Sequence, residues 1–209
     1  AGGEFLWLNR FTPAASDYPF TLTEIQFYTG SDSLCAPTDA VDFYVYQDAD
    51  GNPANGATHV GSLTGQTLGT LDQFNTYPVN IALSGPGDVL ILAVNRGCDL
   101  AGQFPASIDQ TTPQVRSWIG FAAAAPADPP VLPPATFGTI DSFGFPGNWM
   151  IRGVGQTGGG GTCAAPSDIP WLSVSPTSGS TAAGASSNVT LTFNSAGMTA
   201  GTYNASLCV

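Results

Sequence analysis

His59 is the only histidine of the chain, so it is the only side chain whose ordinary pKa suits general acid–base work near neutral pH. It stands in Ala57-Thr58-His59-Val60, beside a turn, and no Gly-x-Ser-x-Gly elbow occurs anywhere in the sequence. Hydrolysis needs a nucleophile, a base and an orienting acid together. His59 therefore reads as a solvated strand-end residue, and the chain as a protein without catalytic residues of its own. The run Asp48-Ala-Asp50-Gly51-Asn52-Pro-Ala-Asn55-Gly56 sets oxygen-bearing side chains at alternate positions around a glycine, as the start of a calcium loop does. Asp48, Asp50, Asn52 and Asn55 are its candidate ligands. It lacks the bidentate glutamate at the twelfth position, and a polar turn between two strands uses the same residues. Both readings stay open.

Three further groups carry chemistry. Tyr44, Tyr46, Trp118 and Trp149, with Phe145, are candidates for an aromatic platform that stacks on sugar rings, with core packing as the alternative for each. The four arginines, Arg10, Arg96, Arg116 and Arg152, all lie in or beside strand-like runs. At least two are expected to pair with carboxylates and serve structure; a cluster around an anion is the sharper alternative. Cys35, Cys98, Cys163 and Cys208 lie far apart with no C-x-x-C spacing, which disfavours zinc. Disulfides are the better reading, Cys35 with Cys98 and Cys163 with Cys208, against the alternative of buried free thiols. Asn188-Val-Thr190 and Asn204-Ala-Ser206 match the glycosylation sequon, at near-chance frequency for so Ser/Thr/Asn-rich a segment.

The elements that must hold these residues are strands. Short runs rich in Val, Ile, Phe, Tyr, Trp and Thr recur at 4–11, 20–29, 41–47, 58–63, 77–83, 88–95, 115–121 and 148–154, each bounded by Gly, Pro, Asn or Asp. Thr23, Ile25 and Phe27 alternate with Glu24, Gln26 and Tyr28, which predicts one buried sheet face. No window has a helical stripe. The expected class is all-β: a jelly-roll-like β-sandwich over 1–155, a Gly-rich linker over 156–162, and a small, incomplete immunoglobulin-like β-sandwich over 163–209. The proline-rich run Ala122 to Pro134 is expected as an extended surface loop.

Charge removes several functions. Charged residues make up 9% of the chain and the net charge is −11, with no lysine. A nucleic-acid surface needs clustered Lys and Arg, and an anionic membrane attracts the same residues, so neither is an expected partner. No run approaches the ~20 apolar residues of a membrane span. With no signal peptide before Ala1 and no initial Met, the chain is expected to be mature or excised from something longer.

Two stretches carry resemblances. Trp171-Leu-Ser-Val-Ser-Pro-Thr-Ser-Gly179, Asn188-Val-Thr-Leu-Thr-Phe193 and Gly201-Thr-Tyr-Asn-Ala-Ser-Leu-Cys-Val209 resemble the BACON-type immunoglobulin-like repeats of secreted bacterial proteins, without the last strand of that family. Phe5-Leu-Trp-Leu-Asn-Arg-Phe-Thr-Pro13, Gly87-Asp-Val-Leu-Ile91, Arg116-Ser-Trp-Ile-Gly-Phe121 and Ser142-Phe-Gly-Phe-Pro-Gly-Asn-Trp-Met-Ile-Arg-Gly153 are similar to an accessory region beside subtilisin-like proteases and other large secreted proteins. Neither resemblance brings a catalytic residue. With the disulfides, they point to an extracellular or cell-surface, non-catalytic structural or assembly protein. The missing strand leaves an unpaired edge, which adds the expectation of a filament subunit completed by strand donation, with apolar Gly2 to Phe11 as donor. The alternative is a carbohydrate- or surface-binding accessory module excised from a larger secreted enzyme or adhesin. The expected partners are another copy, a neighbouring domain or a glycan.

Overall fold

The computed structural model describes residues 4–157, apart from 99, 101 and 123–124, and residues 169–201, apart from 182–183 and 185. The chain divides into two compact units, Ala1–Gly160 and Gly161–Val209. The first contains strands β1 (Glu4–Phe11), β2 (Phe20–Thr29), β3 (Ala40–Asp48), β4 (Thr58–Thr67), β5 (Gln73–Leu83), β6 (Asp88–Asn95), β7 (Ile108–Asp109), β8 (Ser117–Ala122), β9 (Thr136–Thr139), β10 (Asn148–Trp149) and β11 (Ile151–Thr157). A six-stranded sheet runs β4-β3-β6-β1-β8-β9, a three-stranded sheet runs β11-β2-β5, and β10 pairs with β7. All these pairings are antiparallel. The unit is an all-β sandwich whose chain passes from one sheet to the other between β1 and β2, β2 and β3, β4 and β5, and β5 and β6.

The principal core lies where Trp7, Val41, Phe43, Val45, Val89, Ile91 and Ala93 of the large sheet meet Leu22, Ile25, Phe27, Tyr77, Ile81 and Leu83 of the small one. Alternation delivers the opposite set, Leu6, Leu8, Tyr44, Tyr46, Leu90, Leu92 and Val94, to the outer face, where a second buried cluster forms. Both faces of the large sheet are therefore apolar. This is why β6 reads Asp-Val-Leu-Ile-Leu-Ala-Val-Asn and is buried at every position. The cover of the outer face comes from the proline-rich segment. Pro130 and Leu132 are buried, and Tyr46 donates its hydroxyl proton to the carbonyl of Pro130. The segment expected as a surface loop is thus, at these residues, part of a second core.

Alternation also breaks where the sequence gives no sign. A bulge between Leu22 and Glu24 in β2 puts Leu22, rather than Thr23, into the core, and Thr23 instead donates its hydroxyl to the Val154 carbonyl. Gly153 of β11 lies over Ile91 of the facing sheet, where a Cβ would come within 2.8 Å of Ile91 Cδ1. The missing side chain permits that close approach. Gln156 and Thr157, expected in the linker, continue β11 beside Thr21 and Phe20.

Cys35 and Cys98 are joined by a disulfide that closes a separation of 63 residues inside the first unit. Cys163, Cys208 and most of the Gly-rich linker lie outside the described residues. In the second unit β12 (Leu172–Ser175) pairs antiparallel with β13 (Thr190–Phe193), and Trp171 stacks on Phe193 with ring centres 6.3 Å apart. The stretch Gly201 to Val209, whose motif carried the immunoglobulin-like resemblance, lies outside the described residues from Thr202 onward. Of the segment expected as a strand donor, Gly2 to Phe11, the described part Glu4–Phe11 is hydrogen-bonded on both sides, to β6 and to β8. Leu6, Trp7 and Leu8 are buried there, so this strand is a centre of the first unit and not a free arm.

Candidate functional site

The Asp48–Asn55 run joins β3 to β4 as a polar turn. Asp48 Oδ1 accepts hydrogen bonds from the backbone N–H groups of Asp50 and Gly51, both at 3.2 Å. Asp50 Oδ1 accepts from the Asn52 N–H at 3.0 Å, Asn52 Oδ1 from the Ala54 N–H at 3.2 Å, and Asp50 Oδ2 from the Asn55 amide at 2.6 Å. The side chains thus tie the loop to itself, as Asx turns do. A calcium ion takes six to eight oxygens; the bonds above make the run a self-tied turn, while the Asn55 amide oxygen and the second lone pairs of the other side-chain oxygens keep acceptor capacity. Asp48 Oδ2 is buried without a partner. Burial, and then the neighbouring Asp50 carboxyl, push the Asp48 pKa up, while the Asn55 amide holds that of Asp50 down. Among the described residues the group of Cys, His, Asp and Glu close enough to share a metal is Cys35, Asp39 and Cys98, whose sulfurs are already bonded to each other.

The aromatic platform does not form as expected. Tyr44 and Tyr46 are 0% and 2% exposed, in the cluster beneath Leu132, and offer no face to a sugar. Trp149 is buried in the opposite, principal core, set edge-on to Trp7 at 4.9 Å, with its indole N–H donated to the Trp118 carbonyl at 2.8 Å. Trp118 is half-buried and stacks on Phe137. The alternation of β3 and the sandwich closure consume these rings, because large apolar surfaces are worth most when removed from water. Phe145 is exposed. His59 is half-buried, its Nε2 2.9 Å from Ser62 Oγ, and among the described residues no carboxylate bonds its ring.

The arginines divide. Arg96 Nε donates to Asp42 Oδ2 at 2.7 Å and its Nη2 to the Tyr44 hydroxyl at 3.0 Å. Arg10 lies 3.5 Å from Asp88 Oδ2 and also donates to the Gly51 carbonyl. Two paired, partly buried arginines agree with expectation. Beyond that, Arg10, Arg116 and Arg152 all line one cleft of about 340 Å³, at the end of the sandwich where β1, β8, β10 and β11 meet. Its floor is a buried polar knot. Asn9 donates to the carbonyls of Trp149 at 2.8 Å and Ile151 at 2.9 Å, and accepts from Ser117 Oγ at 2.6 Å; Ser117 Oγ in turn accepts the Trp149 N–H. A fully satisfied network of this kind holds the four strands in one geometry.

The rim is cationic. Arg116 and Arg152 are exposed, and among the described residues neither has a carboxylate within salt-bridge distance. Arg116 Nη1 reaches Thr12 Oγ1 at 3.3 Å, and the Arg152 guanidinium sits 3.8 Å over the Phe74 ring. Asp109 is the one acid of the lining; the Thr111 hydroxyl and N–H, with Arg152 contributing, keep its pKa low. With Arg10 paired to Asp88, Arg116 and Arg152 against Asp109 still leave the cleft net positive in a chain of net charge −11. The sequence shows these arginines beside strands but not their meeting, since they come from three separate strand neighbourhoods. Asn9, Gln114 and Asn148 were not foreseen; an asparagine inside the apolar run of β1 was the available signal.

No protein-family model, curated protein or solved structure matches this chain. The cleft's chemistry therefore stands on its own geometry. It holds positive charge, amide groups and ring edges around a rigid polar floor, and it can bind and orient an anion or a polar ligand.

Proposed function

We propose that this chain is a non-catalytic, extracellular binding module, the accessory part of a larger secreted or surface protein, and that the arginine-lined cleft is its ligand site. The observation that carries the proposal is the gathering of three of the chain's four cations on one cleft, while fifteen acids are spread over the whole sequence. Among the described residues the exposed Arg116 and Arg152 have no carboxylate within salt-bridge distance, so their guanidinium forks are open to a ligand. The Cys35–Cys98 disulfide is compatible with an oxidising, extracellular location, and no described helix is long and apolar enough to cross a membrane. Filament formation by strand donation has less support, because its expected donor is already the central strand β1.

A glycan and surface-polymer array tests this reading. Binding that is lost in the double variant Arg116→Gln/Arg152→Gln, with the thermal transition unchanged, is the expected result. Retention of all binding by that variant would place the ligand elsewhere.

A further inference from the structure

The cleft joins two kinds of group that together describe a ligand. Arg116 and Arg152 present guanidinium donors without a carboxylate partner among the described residues, whereas Arg10, which also lines the cleft, is paired with Asp88. Guanidinium forks match a carboxylate in geometry and charge. Beside them lie acceptors. Asp109 gives one oxygen to Thr111, at 2.9 Å from the N–H and 2.7 Å from the hydroxyl, while its other oxygen has no hydrogen bond among the described residues. The Gln114 side chain donates to the Thr112 carbonyl through its nitrogen, which leaves its amide oxygen open. Acceptors of this kind suit hydroxyl donors and repel a second anion.

The charge of the rest of the molecule narrows the ligand further. Outside the lining, a single arginine stands against fourteen acids. A densely charged polyanion would gain at the cleft and lose over the remaining surface. A ligand with one carboxylate on an otherwise neutral, hydroxylated body gains without that loss. The cleft volume of about 340 Å³ suits one sugar ring with part of a second.

Resting on the binding-module reading above, we propose that this cleft recognises a hexuronate residue within an otherwise neutral glycan, its carboxylate held by Arg116 and Arg152 and its hydroxyls by Asp109 and Gln114. Phe74, already under the Arg152 guanidinium, keeps that group in place over the cleft.

The test is calorimetric titration of the whole chain with four probes: an aldobiouronate disaccharide, its methyl ester, inorganic phosphate, and an N-acetylated dipeptide with a free C-terminal carboxylate. The aldobiouronate is expected to bind at least tenfold more tightly than its ester, and Arg116→Gln or Arg152→Gln is expected to abolish that preference. Asp109→Asn should weaken acid and ester alike, because it acts on the hydroxyls they share. Acid and ester binding equally would overturn the carboxylate assignment while leaving a neutral-glycan module intact. Stronger binding of phosphate or of the dipeptide would overturn the sugar assignment. Failure of all four would remove the hexuronate site, and failure of the polymer array as well would remove the binding-module reading. Both arginines are exposed, so circular dichroism of the variants is expected to match the unchanged chain and to separate lost binding from lost fold.

Discussion

Asp48 shows how a single carboxylate can read as a ligand and act as a turn. One of its oxygens caps two backbone N–H groups and the other is buried without a donor. Its pKa is raised in the folded chain, so the stability linked to it is fully present below the unfolded-state value of about 4 and falls as pH rises through the folded value. Asp48→Asn keeps the cap and removes the unsolvated charge. It is expected to raise stability at pH 7 by about 1 kcal/mol and to flatten the acid limb of a Tm-against-pH curve. Since backbone N–H groups and the Asn55 amide already hold the loop's carboxylates, the polar-turn reading expects EDTA treatment followed by millimolar calcium to leave the Tm within a degree, and a calcium-induced rise would support the ion instead. The buried tyrosines set the alkaline limit. Burial raises Tyr44 and Tyr77 to about 12. Stability from their neutral hydroxyls is present below about 10 and lost as pH climbs toward 12, so unfolding and the ultraviolet signal of tyrosinate should appear together in that window. Arg96 illustrates the paired class: Arg96→Met leaves the buried Asp42 without its charged partner and should cost about 2–3 kcal/mol by denaturant titration.

Strand locations follow from composition with little ambiguity. β1, β2 and β6 occupy the residues that their Val, Ile, Phe and Trp content and their Gly and Pro borders predict, because a strand signal is local. What each face meets is not local. The unbroken apolar run of β6 already implies burial on both faces, yet nothing in the sequence says that a proline-rich segment, rather than a helix or a second domain, supplies the outer cover. The same gap accounts for Tyr44, Tyr46 and Trp149, where packing governs their use. Leu132 is the test of this layer. Leu132→Ala, at 8% exposure against Tyr44, Tyr46 and Leu90, should destabilise the first unit by about 2 kcal/mol and open the proline-rich segment to proteolysis.

Both cores and the cleft belong to the first unit, and the Cys35–Cys98 disulfide closes within it. A chain truncated after Gly160 is expected to keep its thermal transition and its ligand binding, as differential scanning calorimetry and the titrations above would measure. Reduction of the disulfide releases a 63-residue loop, and the chain-entropy argument puts its contribution at about 4 kcal/mol. A drop in Tm on adding reductant, absent in Cys35→Ser/Cys98→Ser, is the corresponding readout. At this scale the net charge of −11 also acts against polyanions, and on the proposed reading of the cleft raising salt should weaken binding of an acidic sugar more than of its neutral ester.

Sequence alone pointed to an all-β sandwich, most of the strand positions though not β7, β9 or the break at Met150, the poverty of cations and the pairing of at least two arginines, because those follow from side-chain type, short-range alternation and charge arithmetic. Tertiary structure decided that Arg10, Arg116 and Arg152 share a cleft, that the candidate sugar-stacking rings lie inside, and that β1 is central rather than free. These depend on which strands become neighbours. Such pairings join residues far apart in the chain through backbone hydrogen bonds, and every strand offers the same donors and acceptors, so only the packing of whole sheets selects among them.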